Sequence, residues 1–390
     1  MSRKDNIIAR SIIKSIKKGV KNKNASELHE PELSTKEWSY LKTCLANNML
    51  STIGPNIKLF ENKLKKITNS KYVIATINGT SALHLALKLI NLKNNEEVLI
   101  PSLNFIASTN ATLYCGGIPH FIDVEENTLG IDVQKLSIYL KKITKLRKGE
   151  CINKITKRKI KAVIPTHLFG HPVEMKKLLK LAKKFNLKVI EDAAEGIGSF
   201  YYKKHLGTFG DFGVISFNGN KSVTTGGGGA LLTNNNILAK LARHLITVSK
   251  KKHEYDLIHD KVGYNYKMTN LHAAIGCAQL DKIKQILNKK RKLHQAYLSE
   301  FNNNSYVKIF KEPNNSKSNF WLNTIILKKE KKKLRNRILK LGKKYSLGLR
   351  PVWKPLPELK FLKNYPKMNV SQSKKIFNKL INLPSSPHLI

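Results

Sequence analysis

The stretch Glu191–Asn234, EDAAEGIGSFYYKKHLGTFGDFGVISFNGNKSVTTGGGGALLTN, is the most informative part of this chain. Its acid pair, Glu191 and Asp192, ends the apolar run KVIED, and a second apolar run, GVISF, follows. One lysine, Lys221, then lies in a polar turn before a run of glycines and a third apolar run, GALLTN. Because ligands bind at the carboxyl ends of strands in open α/β sheets, the stretch predicts a ligand site between neighbouring strands.

The sequence on both sides of this stretch repeats the same alternation of short apolar runs and amphipathic helical patterns. The predicted strands are residues 72–76, 97–102, 120–124, 162–168, 188–192, 213–217 and 229–234. Strands that alternate with helices predict an α/β fold with a large, mostly parallel sheet covered on both faces. After about residue 245 the pattern changes to a long helix over 271–301, a strand within 319–327 and lysine-rich helices. This part predicts a smaller α+β domain.

Three regions follow from these patterns: a basic N-terminal arm (1–32), a large cofactor-binding domain (33–245) and a small C-terminal domain (246–390). Lysines interrupt the apolar residues of the arm, which favours a solvated or frayed segment over a helix lying on a membrane. The basic piece 141–161 interrupts the large domain, and we expect an exposed excursion with a hairpin at its centre rather than a binding patch.

Composition excludes several classes of function for this chain of 390 residues. The net charge of +45 comes mostly from lysine spread along the whole chain, whereas nucleic-acid sites cluster arginine and aromatic residues. A diffuse positive field would still attract a phosphorylated substrate. No run is long enough for a membrane span, and four widely spaced cysteines suggest neither disulfides nor a metal site. We therefore expect a cytoplasmic protein with no specific nucleic-acid partner.

The lysine and the acid of the opening stretch match what pyridoxal 5'-phosphate requires from a protein. The cofactor needs an amine for its aldehyde and a carboxylate that keeps its ring nitrogen protonated. Lys221 lies between apolar strands, away from the lysine-rich helices, and Asp192 ends a buried strand. Glu191 alternates to the other face, so Asp192 is the better partner for the ring nitrogen. Alone, an acid in this position is equally often a helix cap.

Candidates for the remaining parts of a cofactor site lie near other strand ends. Gly79 and Thr80 open a helix after the strand YVIAT, where free N–H groups and the helix dipole favour phosphate. Ser216 could supply a hydroxyl to the same phosphate, and Phe105 follows a strand end where it could stack on the ring. An ordinary capped helix and a core aromatic residue are the alternatives for Gly79 and Phe105, respectively.

The order of six motifs resembles the DegT/DnrJ/EryC1/StrS family of sugar aminotransferases from about residue 33 to the end. The motifs are GTSALHLAL, VLIPSLNFIAS, EDAAEGIGSF, FGDFGVISFNGNK, TTGGGGALLTN and GYNYKMTNLHAAIG. The resemblance implies the pyridoxal-phosphate-dependent transferase fold of aspartate aminotransferase, fold type I. It also implies a homodimer with two shared active sites.

Several roles are implied by the resemblance, position by position. Lys221 would be the catalytic lysine that bonds to the cofactor and carries the transferred proton. The remaining matches are Asp192 at the ring nitrogen, Phe105 on the ring, Gly79, Thr80 and Ser216 at the phosphate, and Asn265 at the phosphate of the neighbouring subunit.

Three positions depart from the family's usual residues. Glu195 stands after EDAA, where Gln or His near the phenolic oxygen of the cofactor is usual. Lys267 replaces the arginine of NYRM, so it would receive the carboxylate of the amino donor less specifically. Arg350 and Trp353 stand where a histidine near the substrate is common.

Further motifs resemble the branch that acts in legionaminic-acid-type nonulosonic acid biosynthesis, among them HLFGHPVEM, SFNGNKSVTTGGGG and NLPSSP. The implied reaction converts a nucleotide-activated 2-acetamido-4-keto-6-deoxy sugar to its 4-amino sugar with L-glutamate as donor, for a surface glycan such as lipopolysaccharide. Another nucleotide-sugar 3- or 4-aminotransferase, such as a perosamine-type enzyme, is the alternative within the family. Dehydratases of the family carry histidine in place of Lys221, and a cofactor-binding regulator would not need the intact lysine and acid.

Overall fold

The computed structural model describes residues 3–390. The helices are α1 (Arg3–Gly19), α2 (Thr35–Ala46), α3 (Pro55–Thr68), α4 (Gly79–Leu89), α5 (Ala107–Tyr114), α6 (Val133–Ile143), α7 (Met175–Lys184), α8 (Asn236–Leu245), α9 (Asn270–Asp281), α10 (Ile283–Phe301), α11 (Lys332–Lys344) and α12 (Ser371–Lys379). The strands are β1 (Tyr72–Thr76), β2 (Glu97–Pro101), β3 (Ile118–Ile122), β4 (Thr144–Arg147), β5 (Glu150–Asn153), β6 (Ile160–Val163), β7 (Lys188–Asp192), β8 (Phe200–Tyr201), β9 (Lys204–His205), β10 (Phe212–Ser216), β11 (Gly229–Thr233), β12 (Val307–Ile309), β13 (Ser316–Lys317), β14 (Asn323–Leu327), β15 (Arg350–Pro351) and β16 (Leu380–Leu383).

The large sheet has seven strands in the order β1-β11-β10-β7-β6-β2-β3. The pairs from β10 to β3 are parallel, whereas β11 runs antiparallel to both β1 and β10. All seven strands predicted from the apolar runs are present, and β1 and β7 have the predicted bounds. The α/β fold class is therefore confirmed.

Helices cover both faces of this sheet, which explains why its strands read as continuous apolar runs. Val98 and Ile100 belong to the cluster that includes α4 and α8, whereas Leu99 belongs to the cluster that includes α6 and α7. Successive residues of a strand therefore enter opposite layers of the core. Each fully buried aliphatic side chain contributes about 1.5–3 kcal/mol. The sheet is thus a rigid support for the loops at its carboxyl edge.

A smaller antiparallel sheet, in the order β12-β14-β16-β15, forms the core of the C-terminal part. Helix α1 packs on this part, against α10 and α11, and buries Ile12 and Ile16 completely. A Cβ atom at Gly19 would lie 2.5 Å from the ring of Tyr297, so the end of α1 fits closely against α10. The expectation of a solvated arm is wrong for residues 3–20, while residues 1 and 2 lie outside the described residues. The division at residues 32 and 245 remains a prediction.

The structure contains the hairpin predicted within residues 141–161, but it divides the single helix predicted over residues 271–301. The excursion 141–161 does contain a hairpin, β4–β5, but the buried Glu97 anchors it by accepting a hydrogen bond from Asn153 Nδ2 at 3.0 Å. The long helix predicted over 271–301 is divided into α9 and α10 at Lys282, whose φ of −106° and ψ of 11° lie outside the helical range. Lys282 instead reaches Glu37 Oε1 at 2.8 Å, which ties this point to α2.

Residues 3–390 contain neither a membrane-spanning helix nor a cluster of metal-binding side chains. Over that range no helix combines the length and the apolar character that crossing a membrane requires. Nor does the same range bring three or more histidine, cysteine, aspartate or glutamate residues together in a way that could hold a metal ion.

Candidate active site

Lys221 lies in the turn between β10 and β11, at the carboxyl edge of the large sheet. Its side chain is only 13% exposed, and its Nζ lies 3.5 Å from Oε1 of Glu195. The same Nζ lies 3.8 Å from the centre of the Trp321 ring, which comes from the C-terminal part of the chain. The indole N–H of Trp321 donates to the carbonyl of Asn220 at 2.8 Å. Two distant segments therefore fix the position of this amine.

Asp192 ends β7, the strand next to β10, and points into the same region. Its Oδ2 accepts a hydrogen bond from Ser108 Oγ at 2.7 Å, and its Oδ1 accepts one from the backbone of Ala194 at 3.2 Å. Burial raises the pKa of Asp192, while these hydrogen bonds and the charge of Lys221 oppose that rise. The carboxylate is thus held in one orientation in a site with little water.

Glu191 turns to the opposite side of β7, as strand alternation predicts. It accepts hydrogen bonds from the backbone N–H groups of Gly207, Phe209 and Gly210 and pairs with His167 at 3.0 Å. The three backbone contacts anchor the loop that precedes β10, and the contact with His167 ties β7 to the segment that follows β6. Of the two acids, Asp192 therefore faces Lys221.

Glu195 is buried beside Lys221 and is held by a turn with an uncommon backbone conformation. Its Oε2 accepts the backbone N–H of Phe169 at 2.6 Å, and Phe169 has a φ of +56°. Burial raises the pKa of Glu195 to about 7, while the nearby Lys221 lowers it. A carboxyl group with such a pKa can exchange a proton near neutral pH.

The predicted phosphate site brings three backbone segments into close contact. Helix α4 begins at Gly79, and Asn78 caps it by accepting the N–H of Ser81 at 2.7 Å. A Cβ atom at Gly79 would lie 3.1 Å from Cβ of Ser216. A Cβ atom at Gly229, which pairs with Ser216 across β10 and β11, would lie 2.6 Å from the nitrogen of Gly79. Glycine at both positions leaves the first N–H groups of α4 open to a ligand, so the residues fit a phosphate group.

Buried polar atoms without partners indicate that the site is built for a further polar group. Within residues 3–390, Oδ1 of Asn104, Oγ1 of Thr166 and Oγ of Ser222 are buried and have no hydrogen-bond partner. Asn104 lies near Ser108, Thr166 pairs with Asp192 across the sheet, and Ser222 follows Lys221. Because buried polar groups are normally satisfied, this set fits a bound polar ligand at the Asp192–Lys221 edge.

The comparisons with known proteins agree with this geometry. The sequence profile of the DegT/DnrJ/EryC1/StrS aminotransferase family matches residues 31–390. The chain belongs to this family. It is a pyridoxal-phosphate-dependent aminotransferase, and the resemblance inferred from the six motifs is confirmed.

Two relatives that cover most of the chain carry the names of nucleotide-sugar enzymes. The chain is 36% identical over 366 residues to a GDP-perosamine synthase of Escherichia coli O157:H7, with 93% of each chain covered. It is 33% identical over 319 residues to a UDP-4-amino-4,6-dideoxy-N-acetyl-beta-L-altrosamine transaminase of Campylobacter jejuni, with 80% of this chain and 79% of the relative covered.

A solved structure shares the fold. The aminotransferase PseC of Helicobacter pylori, involved in the biosynthesis of pseudoaminic acid, superimposes with a TM-score of 0.82 at 24% identity. The superposition covers 91% of this chain and 92% of that chain. The transferase fold inferred from the sequence is thereby confirmed.

Three of the residues inferred from the family lie outside the polar contacts that Lys221 makes. Among residues 3–390, no hydrogen bond or ion pair joins Asn265, Lys267 or Arg350 to Lys221. Asn265 is exposed and bridges to Thr247, and Lys267 bridges to Thr76 at the end of β1. Arg350 is exposed on β15. Their roles remain predictions.

Phe105 is half exposed and lies in a row of aromatic rings that reaches Glu195. Its ring centre is 5.8 Å from that of Trp353, and Trp353 stacks on Phe169 at 5.7 Å. One face of Phe105 is thus supported by the C-terminal part while 51% of the residue stays accessible. This placement fits a ring that stacks on a ligand, although the stacking role itself remains a prediction.

Sequence reasoning missed four residues that hold the site in place. These are Trp321 over Lys221, Ser108 on Asp192, Phe169 at Glu195, and Asn319, whose side-chain amide donates to the carbonyls of Glu195 and Ile197 at 2.7 and 2.9 Å. Only one local signal was available: Gly170 after Phe169 indicates a tight turn, and its φ is +87°.

Proposed function

We propose that the chain transfers an amino group from L-glutamate to the keto carbon of a nucleotide-activated 2-acetamido-4-keto-6-deoxy sugar. The product would be the 4-amino sugar, made in the cytoplasm for legionaminic acid or a related surface glycan. The observation that carries the proposal is the buried arrangement of Lys221 beside Asp192 and Glu195 at the edge of the sheet. The nucleotide-sugar names of the relatives support this substrate class.

The chain offers a residue for each part of the cofactor. Lys221 would hold the aldehyde carbon and Asp192 the ring nitrogen, while Gly79, Thr80 and Ser216 would hold the phosphate. Phe105 would cover one face of the ring, and Glu195 would lie near its phenolic oxygen. When bound, pyridoxal phosphate supplies an aldehyde for imine chemistry and a ring that accepts electrons.

Lys221 also carries the proton that the reaction moves. Its amine takes a proton from the carbon of the amino donor, and the resulting ammonium returns one later in the half-reaction. Proton transfer by a positioned group typically contributes about 10²–10⁴-fold to the rate. Trp321 covers this amine, and the covering indole limits the access of water to it.

A second copy of the chain would complete the site. Asn265 is exposed, which leaves it free to approach the phosphate site of a partner, as the family resemblance implies. Large apolar side chains are exposed in the region before α3, including Trp38 at 75% and Ile53 at 75%. An apolar surface of this kind suits an interface between copies of the chain. The proposal is therefore a homodimer with two shared active sites.

Lys267 and Arg350 are the proposed contacts for substrates. Lys267 lies beside the end of β1, near the predicted phosphate site at the start of α4, where it could receive the carboxylate of the amino donor. Arg350 lies in the C-terminal part, and its guanidinium suits a nucleotide phosphate. The net charge of +45 would attract both anionic substrates.

A perosamine-type reaction is the second candidate because a relative of that name is 36% identical over most of both chains. A panel of keto-sugar nucleotides separates the two. Turnover of a UDP-2-acetamido-4-keto-6-deoxy sugar with glutamate, measured as 2-oxoglutarate and as amino sugar by mass spectrometry, supports the first proposal. Selective turnover of a GDP-4-keto-6-deoxy sugar without the acetamido group would instead establish the alternative.

The Lys221→Ala variant tests the catalytic assignment. We expect it to lose the violet absorbance of the lysine-bound cofactor and at least about 10²-fold in turnover. Lys240→Ala on the exposed side of α8 is the matched control and should keep both properties. A protein that stays colourless with added cofactor, or a Lys221→Ala variant with normal turnover, would refute the assignment. Normal colour without turnover of any sugar would favour a cofactor-binding regulator.

A further inference from the structure

Glu195 has two oxygens with different partners. Its Oε2 accepts the backbone N–H of Phe169 at 2.6 Å, whereas its Oε1 faces Nζ of Lys221 at 3.5 Å. Glu195 is 6% exposed and Lys221 13% exposed, so little solvent screens the interaction between them. One end of the carboxylate is therefore fixed, and the other is directed at the lysine.

The segment that carries Glu195 is held rigidly. Asn319 donates from its side-chain amide to the carbonyl of Glu195 at 2.7 Å, and its own Oδ1 accepts the N–H of Trp321 at 2.8 Å. The backbone of Phe169 adopts a φ of +56°, an uncommon conformation for a bulky residue, and this turn aims its N–H at Glu195. Such strain persists where the surrounding structure fixes the backbone, and it clusters at functional sites.

Among residues 3–390, Glu195 is the acid whose oxygen pairs directly with Nζ of Lys221, at 3.5 Å, so it is placed to balance a charge on this lysine. Asp192 faces Glu195 from the end of β7, but its two oxygens accept hydrogen bonds from Ser108 and Ala194. His29 lies near both Lys221 and Lys290, and burial lowers the pKa of His29 and of Lys290 well below their ordinary values. Lys290 donates instead to the carbonyls of Trp321 and Ser385, at 3.2 and 2.7 Å, so its amine is not directed at the carboxylate of Glu195.

We infer that Glu195 is a positioning residue that stabilises Lys221 as an ammonium whenever the lysine is not bonded to the cofactor. The inference rests on the proposed role of Lys221 as the proton carrier. The carboxylate of Glu195 offsets the positive charge that Nζ gains on taking up a proton, and the face of Trp321 supports the same ammonium. A glutamine or histidine at this position would carry no negative charge and could not do this.

The test is competitive labelling of the full chain freed of cofactor. Acetic anhydride reacts with the unprotonated amine, so the extent of acetylation at Lys221, read by peptide mass spectrometry from pH 6 to 11, gives a midpoint. An opposite charge within about 4–6 Å favours the protonated form by about 1–3 pH units. Glu195→Gln should therefore lower the midpoint for Lys221 by that amount.

Two further variants make the outcome specific. Glu195→Asp keeps the negative charge but moves it away from Lys221 by one methylene. The labelling midpoint for Lys221 in this variant should therefore lie between those of the wild type and Glu195→Gln. Glu37→Gln breaks the buried pair of Glu37 with Lys282, at 2.8 Å, and should leave the midpoint for Lys221 unchanged. If Glu195→Gln fails to fold, the Glu195→Asp comparison still decides the question.

A midpoint for Lys221 that is unchanged or higher in both Glu195 variants would overturn the inference. This result is independent of the proposed function, because labelling reports the ion pair whether or not a given sugar is turned over. Conversely, a shifted midpoint in a protein that aminates no sugar would leave the ion pair standing and remove the proposed substrate.

Discussion

Replacing Glu195 with glutamine removes a buried acid whose proton affinity changes on folding. Burial raises its pKa from the ordinary 4.5 to about 7, so between these values the folded chain keeps a proton that the unfolded chain has lost. Because the folded state binds more protons, this group makes the free energy of unfolding fall as the pH rises from about 4.5 through 7. The difference between 4.5 and about 7, at 1.36 kcal/mol per pH unit, corresponds to about 3 kcal/mol.

Urea unfolding of the cofactor-free chain, followed by tryptophan fluorescence from pH 5 to 8.5, measures this effect. Subtracting the wild-type free energy of unfolding from that of Glu195→Gln cancels the titratable groups that do not interact with Glu195. The difference should grow in favour of the variant by about 3 kcal/mol as the pH rises through 7. A difference that does not vary with pH would show that Glu195 keeps an ordinary proton affinity in the folded chain.

Glu37→Gln is the control with the opposite sign. Burial alone would raise the pKa of Glu37, but hydrogen bonds from Lys282, Ser34 and Gln279 lower it to about 2. The folded state therefore binds fewer protons than the unfolded state, and the contribution of Glu37 to stability is lost only as the pH falls below about 4.5. Between pH 5 and 8.5 this variant should show a destabilisation that is constant with pH.

Two other substitutions probe the supports of the site. Ser108→Ala removes the hydrogen bond to Asp192 and should weaken cofactor binding by about 1.5 kcal/mol, or roughly tenfold. A spectral titration with the cofactor measures this affinity. An unchanged affinity would mean that Ser108 does not orient the carboxylate. Gly170→Ala places a Cβ atom against Oδ1 of Asn319 at a φ of +87° and should lower the free energy of unfolding by more than about 1 kcal/mol. Gly149→Ala has a similar φ, +76°, but the nearest atom to its Cβ would be Nδ2 of Asn186 at 3.9 Å, an ordinary contact, so an equal loss there would show that the contact with Asn319 is unimportant.

The parts of this protein that could be predicted from the sequence depend on local pattern. The apolar runs specified all seven strands of the large sheet, because strands buried on both faces need continuous apolar residues. The same reasoning placed Asp192 at the end of one strand and Lys221 in the turn after the neighbouring strand, as the structure has them. It also placed the start of a helix at Gly79, whose role in binding phosphate stays a prediction. Each of these features is encoded by a short run of consecutive residues.

The parts that could not be predicted depend on contacts between distant segments. Trp321 lies 100 positions after Lys221, and Phe169 acts through a backbone N–H that any residue carries. Helix α1 was misjudged because its many lysines hid the helical spacing of Ile8, Ile12 and Ile16, which form its buried face. Counting apolar residues with a period of 3.6 would have identified that face.

The contact between Lys221 and Trp321 has a consequence for the order of events during synthesis. The lysine and its acid partners are translated well before the tryptophan that covers them, and Trp321 is itself held through its carbonyl by Lys290, which also binds the carbonyl of Ser385. When Lys221 first emerges from the ribosome, the chain still lacks Trp321, which covers the amine of this lysine in the folded protein. Stable loading of the cofactor should begin only after the segment that contains Ser385 has left the ribosome, since the carbonyl of Ser385 is the second acceptor that holds Lys290 in place.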